Sequence, residues 1–326
     1  SRTITTNGGD VTLISNNGQL TGGGILLATS AGITSTGAAG SGNISLGTAS
    51  NYARGNVSFL NSGNLFYGGI LLQATNTLNA GAGTIGMYGK ATGSNNSFGV
   101  FASGGSITGH NITISGEGPA AAISSGIGVA FRNTQQVNAS GALNVTGVSK
   151  TTAAGSGTNH GISIIGFSQI RTTGTGDLTI TGTGGGGPGN WNMGAYIAGS
   201  TIEATGGGHV NLTGSASSAS TGLGSYGIQI LDGTNESVVS ASGAGNVTLT
   251  GTGGSAGTGS VGTDGVNLYS YQGKPISIYT ESGTLTINGT RGNTSTDSFG
   301  IDIQTGGSLV GNAVTLGSAT QTGAII

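Results

Sequence analysis

Any chemistry in this chain has to come from few residues. Ten carboxylates, three histidines and eight basic residues are spread over 326 positions, and there is no cysteine. The acids are Asp10, Glu117, Asp177, Glu203, Asp232, Glu236, Asp264, Glu281, Asp297 and Asp302. Cleaving a glycosidic bond takes two of them, one on each side of the bond. Asp232 and Glu236 are the closest in sequence, and their turn, Asp232-Gly233-Thr234-Asn235-Glu236, reads as two solvated turn residues. Asp264 and Asp302 fall at the second strands of consecutive repeat units, where stacking could bring them near one another. Asp302 aligns with Asn267, Gln229, Tyr196 and Ser163, an outward polar column. His110, His160 and His209 are too far apart for a local metal motif, and the lack of cysteine removes thiolate ligands and thiol catalysis. The calcium repeat Gly-Gly-x-Gly-x-Asp does not recur, and Gly184-Gly185-Gly186-Gly187 lacks the Lys-Ser/Thr of a phosphate loop. The expectation is a non-enzyme with no catalytic residue, metal or cofactor.

Two other sets of residues point to contact rather than reaction. Trp191, in the loop Gly187-Pro188-Gly189-Asn190-Trp191-Asn192, and Tyr196 offer rings on which a sugar could stack, with Tyr226, Tyr269 and Tyr271 as further candidates. Thr113, Thr146, Thr179, Thr181, Thr213, Thr248, Thr250 and Thr286 recur with Ser115, Asn144, Asn211 and Asn288 on the outward side of one strand type. Such a hydroxyl array is similar to the faces of ice-binding β-solenoids, although Asn interrupts it and Thr suits exposed strand positions in any case. The same alternation creates Asn-x-Ser/Thr sequons at Asn111, Asn144, Asn211 and Asn246, mostly as a by-product.

Composition narrows the scaffold that must position these residues. Gly is 71 of 326, charged residues are 6% and Pro is only 3, without a Gly-X-Y period, which excludes collagen. Hydrophobic residues at 34% and a net charge of −2 argue against disorder. The basic residues Arg2, Arg54, Lys90, Arg132, Lys150, Arg171, Lys274 and Arg291 are scattered, so no nucleic-acid partner is expected. No apolar run is long enough for a transmembrane helix.

The scaffold itself is written as a repeat. A first strand pattern, as in Gly176-Asp177-Leu178-Thr179-Ile180-Thr181-Gly182, starts ten times between Val11 and Val314, with a mean period of about 34 residues. A second, Gly-apolar-x-apolar, occurs at Gly24, Gly69, Gly126, Gly161, Gly194, Gly227, Gly265 and Gly300. A third is a single apolar anchor before a Gly turn: Ile33, Leu78, Ile107, Val137, Ile170, Ile202, Val239, Ile278 and Leu309. Between the first and second lies a loop of variable length, such as 182–192 or 251–263. Two inward residues per strand are too few for a core alone, but stacked in register they make continuous aliphatic ladders. The sequence therefore predicts an all-β, single-stranded parallel β-helix (β-solenoid), three short strands per coil and about ten coils, continuous over 1–326. The abundant Gly is expected to turn the corners through positive φ. The apolar finish at 322–326 shows no polar cap, which makes an internal fragment of a longer repeat protein the expectation.

The stretch Gly245-Asn246-Val247-Thr248-Leu249-Thr250-Gly251-Thr252-Gly253-Gly254, the Gly/Ser/Thr/Asn-rich loop and the following Gly-[Ile/Val]-x-[Ile/Leu] resemble the internal repeats of filamentous-haemagglutinin-type exoproteins. The resemblance covers essentially the whole chain from about residue 8. It implies a bacterial surface adhesin exported by two-partner secretion or as an autotransporter passenger, extracellular or cell-surface in location. The partners it implies are further coils of its own parent chain and glycans or proteins on host or neighbouring cells. The Asn-Pro-Asn motif common in that family's secretion domain is not in this sequence, so the secretion signal is expected outside this chain. A structural or adhesive rod is thus the leading expectation. A polysaccharide-binding or polysaccharide-cleaving β-helix and an ice-binding solenoid are the alternatives.

Overall fold

The structure, a computed structural model, describes residues 2–15, 24–37, 40–50, 52–55, 57–61, 64–93, 96–120, 125–152, 158–255, 262–292, 298–304, 307–310 and 313–317. Asp297 and the apolar finish at 322–326 lie outside the described residues. The fold is all-β: parallel strands stack as a β-solenoid of about eight turns, about 33 residues apart, with three strands per coil. Among the described residues no helix is long and apolar enough to cross a membrane.

Every expected start carries a first strand, from Val11–Leu13 to Ala313–Gly317, and these ten rungs form the backbone of one 11-stranded sheet. Ten rungs make nine steps. One step, from Ile44 to Ile85, holds an antiparallel hairpin of Val57–Asn61 with Asn64–Leu72 that the repeat pattern did not announce. About eight regular turns are left, against the ten coils expected. Second and third strands join in a single 19-stranded sheet, because Ser97–Gly109 and Gly126–Ala139 each run through both positions with a bulge between Ser103 and Gly105.

The aliphatic ladders are as the alternation requires. Ile112, Leu143, Leu178, Val210, Val247 and Leu285 stack rung on rung, as do Ile114, Val145, Ile180, Leu212, Leu249 and Ile287. All are buried, in one cluster that extends from Val11 to Ile301. Removing each such side chain from water contributes about 1.5–3 kcal/mol. The third-strand anchors stack in one unbroken line, Ile33–Leu78–Ile107–Val137–Ile170–Ile202–Val239–Ile278–Leu309. At the corner before the first strand, polar side chains cap the next rung: Asn43 N donates to Asp10 Oδ1, Ala142 N to Asn111 Oδ1, His209 N to Asp177 Oδ1 and Thr284 N to Asn246 Oδ1, at 2.7–2.9 Å.

Motif glycines serve close approach more than turning. The glycine that closes each first strand (Gly116, Gly147, Gly182, Gly214, Gly251, Gly289) faces the carbonyl of the glycine that opens a second strand (Gly128, Gly161, Gly194, Gly227, Gly265, Gly300). A methyl group on any of the first set, or on Gly128, Gly161, Gly194, Gly227 or Gly265 of the second, would overlap the other strand's backbone. None of these glycines has positive φ; that conformation belongs to others, such as Gly199, Gly207 and Gly243 at the corners.

This contact also corrects one alignment. The second strand after Ala120 was expected to open at Gly126, yet Val129 pairs with Ile162 and Phe131 with Ile164, so the counterpart of Gly161 is Gly128. A shift of two residues leaves every side chain on its original face, so alternation alone cannot tell the two registers apart. Gly128 wins because it is the glycine pressed against Gly147–Val148. Ile127, two residues before the inward Val129, nevertheless leaves the ladder. With Leu71, Phe98, Phe101 and Ala130 it forms a second, separate apolar cluster, against which Phe66 of the hairpin packs.

Candidate functional site

The second strands carry a groove on their outward side. Its floor is laid by in-register outward residues, Tyr196 opposite Gln229 and Ala198 opposite Leu231, with Tyr269 one rung further on. One wall is the loop that enters the strand, bearing Thr158 and Trp191; the other is the turn that leaves it, bearing Gly233, Tyr271 and Gln272. The groove encloses about 570 Å³. It brings together the two predicted glycan-stacking rings, Trp191 and Tyr196, and adds Tyr269 and Tyr271.

Each ring is held by its own local structure. Trp191 has φ +64°, a conformation that a bulky residue rarely adopts. Its N–H donates to Leu223 O at 2.7 Å, Asn190 Oδ1 accepts from Leu223 N at 2.9 Å, and its indole lies over Gly224. The same indole packs 6.4 Å from the Tyr226 ring and is still 43% exposed. Tyr271, 71% exposed, is pinned through its backbone. Asp232 Oδ1 accepts from Tyr271 N at 2.6 Å, and Asp232 Oδ2 accepts from Gln272 N at 2.6 Å, Lys274 N at 2.8 Å and Ser270 Oγ at 3.3 Å. Burial pushes the Asp232 carboxyl up, but these donors outweigh it and hold it below the ordinary carboxylate range. Asp232 was expected to be a solvated turn residue like the exposed Glu236; it is buried and clamps the next coil's turn instead.

His160, one of three histidines read as polar turn residues, is also buried. Its ring stacks on Tyr196, with centroids 5.2 Å apart and planes at 26°. Burial first, and the neighbouring Arg132 guanidinium second, pull its imidazolium down to about 3, so the ring is neutral near pH 7. His110 and His209 serve corners: His110 Nδ1 lies 3.1 Å from Ser140 Oγ, and His209 Nδ1 accepts from Asn246 N at 2.9 Å.

Beyond the groove, stacking does unite Asp264 and Asp302. Asn267 Nδ2 donates to both, to Asp264 Oδ2 at 3.2 Å and to Asp302 Oδ2 at 3.0 Å, while Gln229 Nε2 donates to Asn267 Oδ1 at 3.0 Å. Both carboxylates are buried, and so are Ser163, Gln229 and Asn267 of the column expected to be an ordinary outward one. Burial pushes the Asp264 carboxyl up; the N–H of Phe299 opposes this, the charge of Asp302 adds to it and Asn267 opposes it, leaving Asp264 at about 7. The Tyr226 phenol is likewise pushed to about 12, by burial and then by Asp264 and Asp302. No group of three or more acids or histidines among the described residues could hold a metal ion.

On the first-strand face the predicted hydroxyls fall into two in-register columns. One reads Thr113–Asn144–Thr179–Asn211–Thr248–Thr286, the other Ser115–Thr146–Thr181–Thr213–Thr250–Asn288. Rungs lie about 4.8 Å apart. Neighbouring rungs elsewhere pair charges, Lys90 with Glu117 at 2.5 Å and Arg171 with Glu203 at 3.6 Å. Compared with known protein families, curated proteins and solved structures, the chain matches none.

Proposed function

We propose that the chain is a rod-like, non-catalytic segment of an extracellular structural or adhesive protein of the bacterial surface, whose partners are glycans or proteins of a host or neighbouring cell. The observation that carries this reading is the unbroken parallel register of ten first-strand rungs over one continuous core. Nine rung spacings give a rod roughly 45 Å long whose stiffness comes from coil-to-coil hydrogen bonds. The low charge and the Thr, Ser and Asn exterior suit a surface that contacts others by hydrogen bonding. The resemblance to haemagglutinin-type repeats supports export to the cell surface. The test is adhesion of beads coated with the purified chain to bacterial and host cells, blocked by excess free chain. Absence of adhesion, or turnover of a polysaccharide, overturns the proposal.

A polysaccharide-cleaving enzyme is the second reading, favoured by one observation. Asp264 holds a proton close to neutral pH beside Asp302, the division of roles that a glycosidase makes between its two carboxyl groups. Against it, both carboxylates are buried and tied to one amide, with 2% and 4% exposure. Release of reducing ends from a polysaccharide panel would establish it. Ice binding by the Thr columns predicts thermal hysteresis that is lost in Thr181→Val; the interruptions at Asn144, Asn211 and Asn288 argue for no hysteresis.

A further inference from the structure

The groove says more about its ligand than adhesion alone requires. Trp191 and Tyr271 are exposed aromatic rings that share one groove, whereas the exposed Phe167 and Tyr279 lie outside its lining, and such a cluster marks a contact site. Trp191 and Tyr271 stand on opposite walls, and both are fixed: one by a strained backbone over Gly224, the other by the Asp232 clamp. A conformation as costly as that of Trp191 persists only where its surroundings over-determine it, and such residues gather at ligand sites. Tyr196 and Tyr269 belong to coils two rungs apart, which separates the two aromatic groups by about 10 Å along the rod axis. That is roughly the length of a disaccharide. A pyranose ring is flat and apolar on its C–H face and carries hydroxyls at its rim, so it asks for aromatic platforms with hydrogen-bonding groups beside them. Gln272 and the tyrosine hydroxyls supply such groups. At the floor, His160 Nδ1 is buried without a hydrogen-bond partner.

Charge decides the class of sugar. No Lys or Arg is among the described residues that line the groove, and its one lining carboxylate, Asp232, already accepts four hydrogen bonds. The nearest guanidinium, Arg132, acts on His160 and Tyr196 but is half-buried with its charge 5.9 Å from the centre of the Phe98 ring, outside the lining. The lining itself therefore carries no cation for a sulfate or uronate and no free carboxylate to hold a cation. A peptide strand would need an open sheet edge, but these second strands are paired on both sides.

We propose that this groove binds an uncharged oligosaccharide lying along the rod axis, its rings stacked between Trp191 and Tyr196 at one end and Tyr269 and Tyr271 at the other. The proposal deepens the adhesive reading and rests on it. Trp191 is the sole tryptophan, so its fluorescence reports occupancy of the groove directly. The full chain is titrated with maltohexaose, cellohexaose, xylohexaose and chitohexaose, with a heparin hexasaccharide and with a proline-rich decapeptide. At least one uncharged hexaose should give a saturable change that persists in high salt. By calorimetry, Trp191→Ala and Tyr271→Ala should weaken that sugar about ten-fold or more, with unchanged circular dichroism and melting, while Thr286→Ala leaves it alone. Binding of the heparin fragment or the proline peptide alone, no binding of any hexaose at millimolar concentration, or equal affinity in all three variants overturns the proposal. Bead adhesion separates the two readings. If the Trp191→Ala, Tyr271→Ala chain adheres as before, the groove is not the site but the adhesive rod stands; if sugar binds and beads do not adhere, the reverse holds.

Discussion

The first-strand and second-strand faces are built on the same rungs, yet their outward surfaces follow opposite rules. Along the first, every step offers another Thr, Ser or Asn, from Thr113 to Asn288. Along the second, the residue before each motif glycine runs Phe98, Ile127, His160, Met193, Tyr226, Asp264, Phe299. That surface passes from apolar under the hairpin, through the neutral His160 and the aromatic groove, to buried carboxylates. The difference lies in what covers each face. The first-strand face meets solvent directly, so its residues need only suit a wet strand. The second-strand face is flanked by entering loops and leaving turns that vary from coil to coil. From Phe98 to Asp302 its outward residues are therefore mostly buried or half-buried, against partners that change with each rung. Uniformity belongs to architecture here, and departure from uniformity marks where a specific contact is made.

The sharpest way to break this contrast is at the glycines where the two faces meet. Gly182→Ala drives a methyl into the Gly194 carbonyl, and a cost of about 3 kcal/mol or more is expected, as for severe overpacking. Gly273→Ala, with φ +74° but open space around it, should cost only about 1 kcal/mol. Because repeats unfold locally, hydrogen exchange of the flanking rungs is the measurement to compare, beside chemical denaturation.

The next effect is electrostatic and confined to the varied face. Folded, Asp264 titrates at about 7, above its ordinary 3.8. Between those values the folded chain holds a proton that the unfolded chain has lost. Stability from this group is therefore full below the unfolded value and declines as pH rises toward 7. Asp264→Asn should remove that decline, roughly 2–4 kcal/mol, from denaturation measured across the window. His160 has the opposite sign. Its folded value of about 3 lies below the ordinary 6.5, so its contribution is lost as pH falls below 6.5, and His160→Phe should flatten that limb. Equal pH profiles in wild type and both variants would sink the assignment.

A smaller effect is expected at the clamp. Asp232→Ala leaves three backbone N–H groups without their acceptor and should cost about 1–3 kcal/mol. Amide exchange at Tyr271, Gln272 and Lys274 should speed up while Thr181 is unaffected. The smallest effect belongs to the regular face: Thr181→Val and Thr213→Val should shift stability by no more than about 0.5 kcal/mol. A large loss there would mean that the hydroxyl columns are structural and the contrast between faces is misplaced.

Much of the scaffold was legible because its signals are local and repeated. All nine third-strand anchors, from Ile33 to Leu309, stack as the pattern required, and so do the ten first-strand starts. The candidate site was legible only in outline. Trp191 and Tyr196 stand out as aromatics in a chain that has few. Their meeting with Tyr271 depends on Asp232, which in sequence is one more acid in a Gly-rich turn. His160 looked like a turn residue because the Tyr196 that covers it comes from the next coil. The hairpin at 57–72 was missed because its strands interrupt the period rather than repeat it.

Alternation of aliphatic with polar residues, the spacing of anchors and the dearth of charge determined by themselves that this chain coils into a stacked parallel solenoid, since each follows from the two-sidedness of a strand and the need to bury one side. Tertiary structure alone decided between Gly126 and Gly128, buried Asp232 and His160, and assembled the aromatic groove. Those outcomes depend on backbone contact between two faces and on loops lent by neighbouring coils, and no single repeat contains that information.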